Sequence, residues 1–236
     1  MRTFSSVDCL NLWESGADLH PLDQALLALG AALPDTPQDT LVDWPLGRRN
    51  RALFELHRSC FGSRLAAWAA CARCQEKMEF TVDSGEVMAQ AKDPEQEATV
   101  AFRTKSYRLP TSRDLALALA DAADPQTTAV RLLESCRLTP CEAGAWSGEE
   151  IAEIGELMAA ADPASETRIA LRCPACGHEQ NEVLDIATFF WAKIAALAKR
   201  LLREVHALAS AYGWTEAQVL SLSAARRSLY MEMVQT

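Results

Sequence analysis

The chain has 236 residues, 49% of them hydrophobic and 23% charged, which is ample for a buried core. Aromatics make up 7%, and Gly and Pro number 10 each, which excludes collagen-like and low-complexity classes. Lys and Arg total 23 against 32 Asp and Glu, a net charge of -9, so the phosphate-neutralising surplus of a general nucleic-acid binder is missing.

Met1–Asn11 carries an acid at Asp8 and no apolar run, unlike a secretory signal. Residues 1–40 read as a short lead-in and one helix, with Leu22, Leu26, Leu29 and Leu33 at helical spacing and Pro34 and Pro37 ending it. After Pro45-Leu46-Gly47 the pattern predicts a helix over Arg48–Ala70. Its stripe runs through Leu53, Leu56 and Cys60 and, past an irregularity at Gly62, Leu65 and Trp68. Arg48, Arg49 and Arg51 sit in its first turn, where the helix dipole prefers acids. That broken rule makes Arg48 and Arg49 candidate partner contacts. The competing reading is an ordinary solvated basic turn, or arginines paired with acids such as Asp43.

Two C-x-x-C knuckles follow, Cys71-Ala-Arg-Cys74 and Cys173-Pro-Ala-Cys176-Gly177. Without a signal sequence, metal binding accounts for such pairs better than disulfides do. A knuckle presents two sulfurs from one tight loop, and two knuckles complete the tetrahedron of four thiolates that zinc prefers. The expected metal ligands are therefore Cys71, Cys74, Cys173 and Cys176, holding a structural zinc ion. Four thiolates leave no open position for catalysis. Ninety-eight residues separate Cys74 from Cys173, so the ion would join remote parts of the chain. The entropy of closing that loop grows only logarithmically with its length. Met78, Phe80 and Val82 alternate after the first knuckle. Ile169 and Leu171 alternate before the second, and Val183 and Leu184 follow it. These are two half-sites, each a turn feeding a short strand. Gly177 suits the positive φ that such loops use. His178 reads as a solvated strand-start residue, and Cys136 and Cys141 as free thiols in or near packing. Cys9 and Cys60 show no partner pattern.

Between the knuckles, Ser84–Glu97 is polar, and Thr99–Phe102 with Ser106–Leu109 predicts a hairpin. Helices are expected from Ser112 to about Ala123, from Pro125 to about Arg137 and over Glu149–Ala161, with a loop at Thr139–Gly148. One long helix is predicted from Ile186 to Tyr212. Phe190, Ile194, Leu197, Leu201, Val205, Leu208 and Tyr212 form its stripe. Lys193 and the shortness of the apolar run Ile186–Leu197 speak against a bilayer span, which needs about 20 residues. Gly213 is placed to end the helix in the left-handed conformation, and Thr215 to Gln218 is a capping box for the next. Ser223 caps a last helix with Ala225, Leu229 and Met233 expected inward and Arg226 and Arg227 outward. Phe189, Phe190 and Trp191 are consecutive and cannot all face one core, so at least one is expected against another layer or another protein.

These elements define a mainly α chain with a small antiparallel β element, an α+β class. It has a discontinuous zinc-ribbon-like four-cysteine site and a long C-terminal helix followed by a helical hairpin. Three regions are expected: a helical one at 1–70, knuckle halves with an inserted helical and β region at 71–185, and the hairpin at 186–236. No phosphate loop, dinucleotide fingerprint, nucleophile elbow or H-E-x-x-H helix is present. The four histidines lack metalloenzyme spacing, and Glu149, Glu150, Glu153 and Glu156 read as solubilising charges. No enzyme activity and no small-molecule substrate are expected.

The run from Leu184 to Met233, with Ala211-Tyr212-Gly213-Trp214, Leu220, Arg226-Arg227 and Tyr230, resembles the baseplate hub and hub-assembly family of T-even-like phages and phage-derived contractile injection systems. Trp44-Pro-Leu-Gly-Arg-Arg-Asn-Arg51, continuing to Phe61-Gly62, and the paired knuckles are similar to the injection-system relatives. The resemblance covers about half the chain and carries no enzymatic role. It implies a structural or assembly component, built in the bacterial cytoplasm and able to enter the assembled particle. Its partners would be other baseplate, hub or spike proteins, with no nucleic acid and no membrane. Arg48, Arg49, Phe189, Trp191, Trp214, Arg226 and Arg227 are the expected partner contacts. The alternative is a zinc-ribbon adaptor of transcription or RNA handling, motivated by the Cys-Pro-Ala-Cys-Gly knuckle.

Overall fold

The structure is a computed structural model that describes residues 1–90, 98–120, 124–139 and 146–235. Four helices open it: α1 (Ser6–Gly16), α2 (Pro21–Ala32), α3 (Gln38–Val42) and α4 (Leu46–Phe61). The expected lead-in is thus a helix in its own right. Ser5 and Asp8 form a reciprocal capping box, and Cys9, Leu10 and Leu12 turn inward.

The helix expected over Arg48–Ala70 is corrected. It stops at Phe61, because Gly62 takes φ +88. The chain then extends as β1 (Arg64–Ala70), turns through the first knuckle and returns as β2 (Lys77–Asp83). The two strands pair antiparallel from Arg64↔Asp83 to Ala70↔Lys77. Leu65 is fully buried on one face of the ladder, whereas Trp68, which a helical stripe would bury, is 63% exposed. A short helix α5 (Ser84–Gln90) occupies the start of the polar stretch.

The inserted region contains the hairpin β3 (Thr99–Phe102) and β4 (Lys105–Arg108), then α6 (Ser112–Leu119), α7 (Pro125–Cys136) and α8 (Gly148–Ala161). Each helix begins on a side-chain cap, Thr111, Asp124 and Ser147 respectively. Val100, Phe102, Tyr107, Leu133, Ile154 and Met158 give this region a small core of its own. The expected Thr139–Gly148 loop lies largely outside the described residues, as does Cys141.

β5 (Thr167–Arg172) and β6 (Glu179–Leu184) form the third two-stranded antiparallel sheet, around the second knuckle. α9 (Ile186–Tyr212) follows, then α10 (Glu216–Ser221) and α11 (Ala224–Gln235). α9 has the expected bounds. Asp185 caps its first turn, and Gly213 ends it at φ +67. Phe190, Ile194, Leu201 and Leu208 on its stripe are at most 1% exposed, each burial worth about 1.5–3 kcal/mol. Ile186, Ala187, Phe190 and Ile194 share the main core with Leu26 and Leu29 of α2, Leu53, Phe54 and Leu56 of α4, and Leu65 of β1.

α11 is turned over relative to expectation. Leu229 and Met233 are 56% and 63% exposed, while Arg227 is 3% exposed. Its Nε donates to Glu204 Oε2 on α9 at 2.9 Å, Nη1 to Leu222 O at 2.5 Å and Nη2 to Ser6 Oγ on α1 at 3.3 Å. A buried guanidinium needs such partners, and satisfying it set the face of the helix.

The first turn of α4 is a seam between the helical body and the inserted region. Gly47 N donates to Asp162 Oδ2 at 2.8 Å, and Asn50 Nδ2 to Ala164 O and Ser165 O at 3.0 Å each. Arg49 Nη1 reaches Ser112 Oγ at 3.2 Å, and Leu46 N donates to Pro110 O at 3.0 Å. These contacts bridge 63 to 115 residues of sequence.

Candidate metal centre

Each knuckle is the turn of its own hairpin, and the two turns meet. Cys71, Cys74, Cys173 and Cys176 place their four sulfurs within 4.8 Å of one another. Cys71 Sγ lies 3.6 Å from Cys176 Sγ, and Cys74 Sγ 3.6 Å from Cys173 Sγ. A tetrahedron with metal–sulfur bonds of about 2.3 Å has edges of about 3.8 Å, so this arrangement is close to a four-thiolate metal site. The centre needs no ligand beyond these four, and the cluster does not include His178.

The local reason for the geometry is the same in both halves. Cys71 N donates to Glu76 O at 2.9 Å and Gln75 N to Cys71 O at 2.9 Å. In the second turn, Cys173 N donates to His178 O at 2.8 Å and Gly177 N to Cys173 O at 2.9 Å. Both turns need a left-handed residue after the second cysteine, Gln75 at φ +62 and Gly177 at φ +70. Gly177 takes it freely and Gln75 carries strain. The Gln180 side chain clasps the halves, accepting from Ala72 N at 2.8 Å and donating to Ala70 O at 3.0 Å. Met78 packs with Cys71 and Cys173 beneath the sulfurs.

Without a cation the two thiols of the first knuckle are driven in opposite directions. Backbone N–H groups of the knuckle, that of Cys74 first, hold the Cys71 thiol down at about 6, and neighbouring thiols add to the effect. The backbone bond from Glu76 lowers the Cys74 thiol, but the Cys176 sulfur, desolvation and the Cys173 and Cys71 sulfurs together outweigh it and push it up to about 12. A divalent cation at the centre removes that conflict by neutralising the added charge. The other described cysteines lie elsewhere. Burial pushes Cys9 up to about 12 and Cys136 up to about 11, the behaviour of inert packed thiols.

The residues expected to meet partners fall into two groups. Arg49, at 6% exposure, and Arg227, at 3%, are buried and bonded within the chain, which corrects their placement on the outer surface. Arg48 is half-buried with its guanidinium 4.2 Å over the Trp44 ring, and Asp43 pairs with Arg113 rather than with α4. The Phe189 ring lies tilted against that of His57, and the Trp191 ring closes over Gly16, so both cover the α1, α4 and α9 packing from its edge. Trp214 is half-buried between Tyr212 and Tyr230, with ring centroids 4.8 and 4.9 Å away. Arg226 is exposed.

Strand β1, Gln75 and Gln180 are the parts of the site that residue spacing missed. Aligning Cys71 with Cys173 finds the first two: a strand before the second knuckle implies one before the first, and Gln75 falls where Gly177 stands. The fold and centre together define a class, an α+β protein whose two remote hairpins meet at a four-cysteine cluster able to hold a metal ion. Comparison with protein-family models, curated proteins and solved structures finds no match to the chain. Among the described residues no helix is long and apolar enough to cross a membrane.

Proposed function

We propose that the protein is a non-enzymatic structural or assembly component of a contractile phage-tail or injection-system baseplate, and that its four cysteines hold a structural zinc ion. The observation that carries this reading is the closure of the centre, with four sulfurs within 4.8 Å and opposed pairs at 3.6 Å. Such a site fills its coordination with protein thiolates and offers a substrate no position. Zinc fits because it prefers tetrahedral sulfur and needs no redox partner. The ion joins turns nearly a hundred residues apart and so couples the inserted region to the helical body.

The baseplate assignment is supported by the sequence resemblance of Leu184–Met233 and Trp44–Gly62. The docking role is supported by the outer face of the C-terminal unit, where Tyr212, Leu229 and Met233 are 40%, 56% and 63% exposed beside Trp214 and Arg226. An apolar face of this kind is a site for another protein. Arg227 acts inside the chain, tying α11 to α9 and α1 beneath that surface, and Arg49 acts at the seam of α4. Co-expression with a complete contractile-tail gene cluster tests the reading. The chain should co-purify with baseplate, hub or spike subunits, and Leu229→Glu with Met233→Glu should release it. A chain that purifies alone from the full cluster, or that shifts nucleic acid in gels at low salt instead, refutes it.

A further inference from the structure

A cleft of about 560 Å³ separates the two knuckle hairpins, and none of the four cysteines lines it. One wall is β2 at Thr81 and Val82, continued by Glu86 and Val87 of α5. The other is β5 from Thr167 to Ala170. The ladder partners of those strands, β1 and β6, contribute nothing to the lining, so the cleft runs along the outer edges of β2 and β5.

The hydrogen-bond phase of each ladder shows what those edges offer. Ser84 N donates to Ser63 O at 2.8 Å and Cys71 N to Glu76 O at 2.9 Å, at in-register positions just beyond the two ends of the β1–β2 ladder. In an antiparallel pair, bonded positions alternate with positions whose N–H and C=O point the other way. Val82 therefore bonds to β1, and Thr81 turns its backbone groups into the cleft. Cys173 N donates to His178 O at 2.8 Å, which by the same alternation turns the N–H and C=O of Arg168 and Ala170 outward from β5. Each sheet has two strands, so among the described residues no third strand takes up these groups. The wall of β5 is a template about 13 Å long at about 3.3 Å per residue.

Only an extended backbone can use such a template, since a helix satisfies its own N–H and C=O groups. Charge selects the kind of segment. Glu166 also lines the cleft and pairs with Arg168 at 2.9 Å. Glu86 is exposed and in no ion pair among the described residues, which leaves the cleft one uncompensated carboxylate. Half-buried Val82, Val87 and Ile169 supply apolar contact.

We infer that this cleft accepts an extended segment of a partner chain as an added strand along the outer edge of β5. The segment alternates apolar and polar residues and carries a lysine or arginine opposite Glu86. This surface is separate from the C-terminal apolar face, and the inference stands independently of the baseplate reading.

Fluorescence anisotropy on the metal-loaded full chain tests it with three labelled peptides. The first is Val-Lys-Val-Thr-Val-Thr, acetylated and amidated. The second has glutamate in place of lysine, and the third is the first peptide N-methylated at its two central residues. Saturable binding of the lysine peptide at about 100 μM is the expected result, with the glutamate peptide about tenfold weaker and the methylated one not bound. Glu86→Gln, on an exposed position, should erase the preference for lysine over glutamate. Ala170→Pro removes an N–H that faces away from the ladder, where an edge strand tolerates proline, and should weaken the lysine peptide about tenfold. If that variant fails to fold, the methylated peptide against the parent chain makes the same test of backbone pairing. Amide exchange then locates the strand: the N–H groups of Arg168 and Ala170 should slow when the lysine peptide is added. No saturable binding, equal binding of the methylated peptide, or no preference for lysine overturns the inference. So does protection of the Arg168 and Ala170 amides before any peptide is present, which would mean that the chain or a second copy of it fills the cleft.

Discussion

Replacing Cys173 by serine removes one ligand from the centre. Cys173 is 2% exposed, its Sγ lies 3.6 Å from that of Cys74, and Met78 packs against it. Structural zinc sites contribute about 10–16 kcal/mol of binding free energy in peptides. Dividing that among four ligands gives about 3 kcal/mol for one thiolate. The protein holds the knuckles together by other means too, through Gln180 and through the Gly47–Asp162 and Asn50 bonds at the seam. An ion at the centre would thus not have to close the long loop alone, and the per-ligand figure applies without a large closure penalty. Zinc affinity should fall about 100-fold or more, read by competition with a chromophoric chelator. For a chain of this size about 3 kcal/mol lowers the melting temperature by about 6–12 °C. Cys136→Ser is the control. Cys136 is equally buried but lies in the core of the inserted region, away from the cluster, so its affinity for zinc should be unchanged. If Cys173→Ser keeps full zinc affinity and the parent melting temperature, the ligand set is wrong.

Three further outcomes follow from individual residues. Gly177→Ala should destabilise by about 1 kcal/mol through backbone strain alone, since φ is +70 and a Cβ there meets nothing within 4 Å; Gln75→Gly should be neutral or stabilising in the same thermal melts. Gly47→Ala would put a Cβ 1.7 Å from Asp162 Oδ1 and force the seam apart, so a loss of about 2 kcal/mol or more in urea unfolding is expected, with the inserted region exchanging its amides faster. His57 is fully buried between Phe61 and Phe189, and burial first, then the Lys193 charge, hold its pKa below 6.5. The unfolded chain then binds the proton more readily, so stability is full above about pH 7 and falls as pH drops below about 6.5. His57→Met should flatten that part of the pH–stability profile, measured at saturating zinc, and an unchanged slope would dismiss the mechanism.

What could be read from the residues was what local chemistry encodes. The knuckles are spacing-coded, and α9 carries its own bounds in Asp185, a stripe repeating every three or four residues, and Gly213. β1 was hidden because Leu65-Ala-Ala-Trp-Ala-Ala suits a helix as well as a strand. Gly62 and the partner strand across the knuckle decided the matter. α1 was signalled by Ser5 and Asp8 at capping-box spacing, a sign overlooked rather than missing. The face of α11 was not local at all. Arg227 finds Glu204 and Ser6, 23 and 221 residues away, and satisfying one buried guanidinium outweighs two exposed apolar side chains. The basic start of α4 broke the dipole rule because Arg49 and Asn50 knit the seam, a use visible only once residues 112–165 stand beside them.

The most direct measurement is metal analysis of the reduced protein combined with X-ray absorption at the metal edge. The account predicts one zinc ion per chain, bound by four sulfurs at about 2.3 Å. Reduced protein without stoichiometric metal, or a shell containing nitrogen or oxygen ligands, would contradict it.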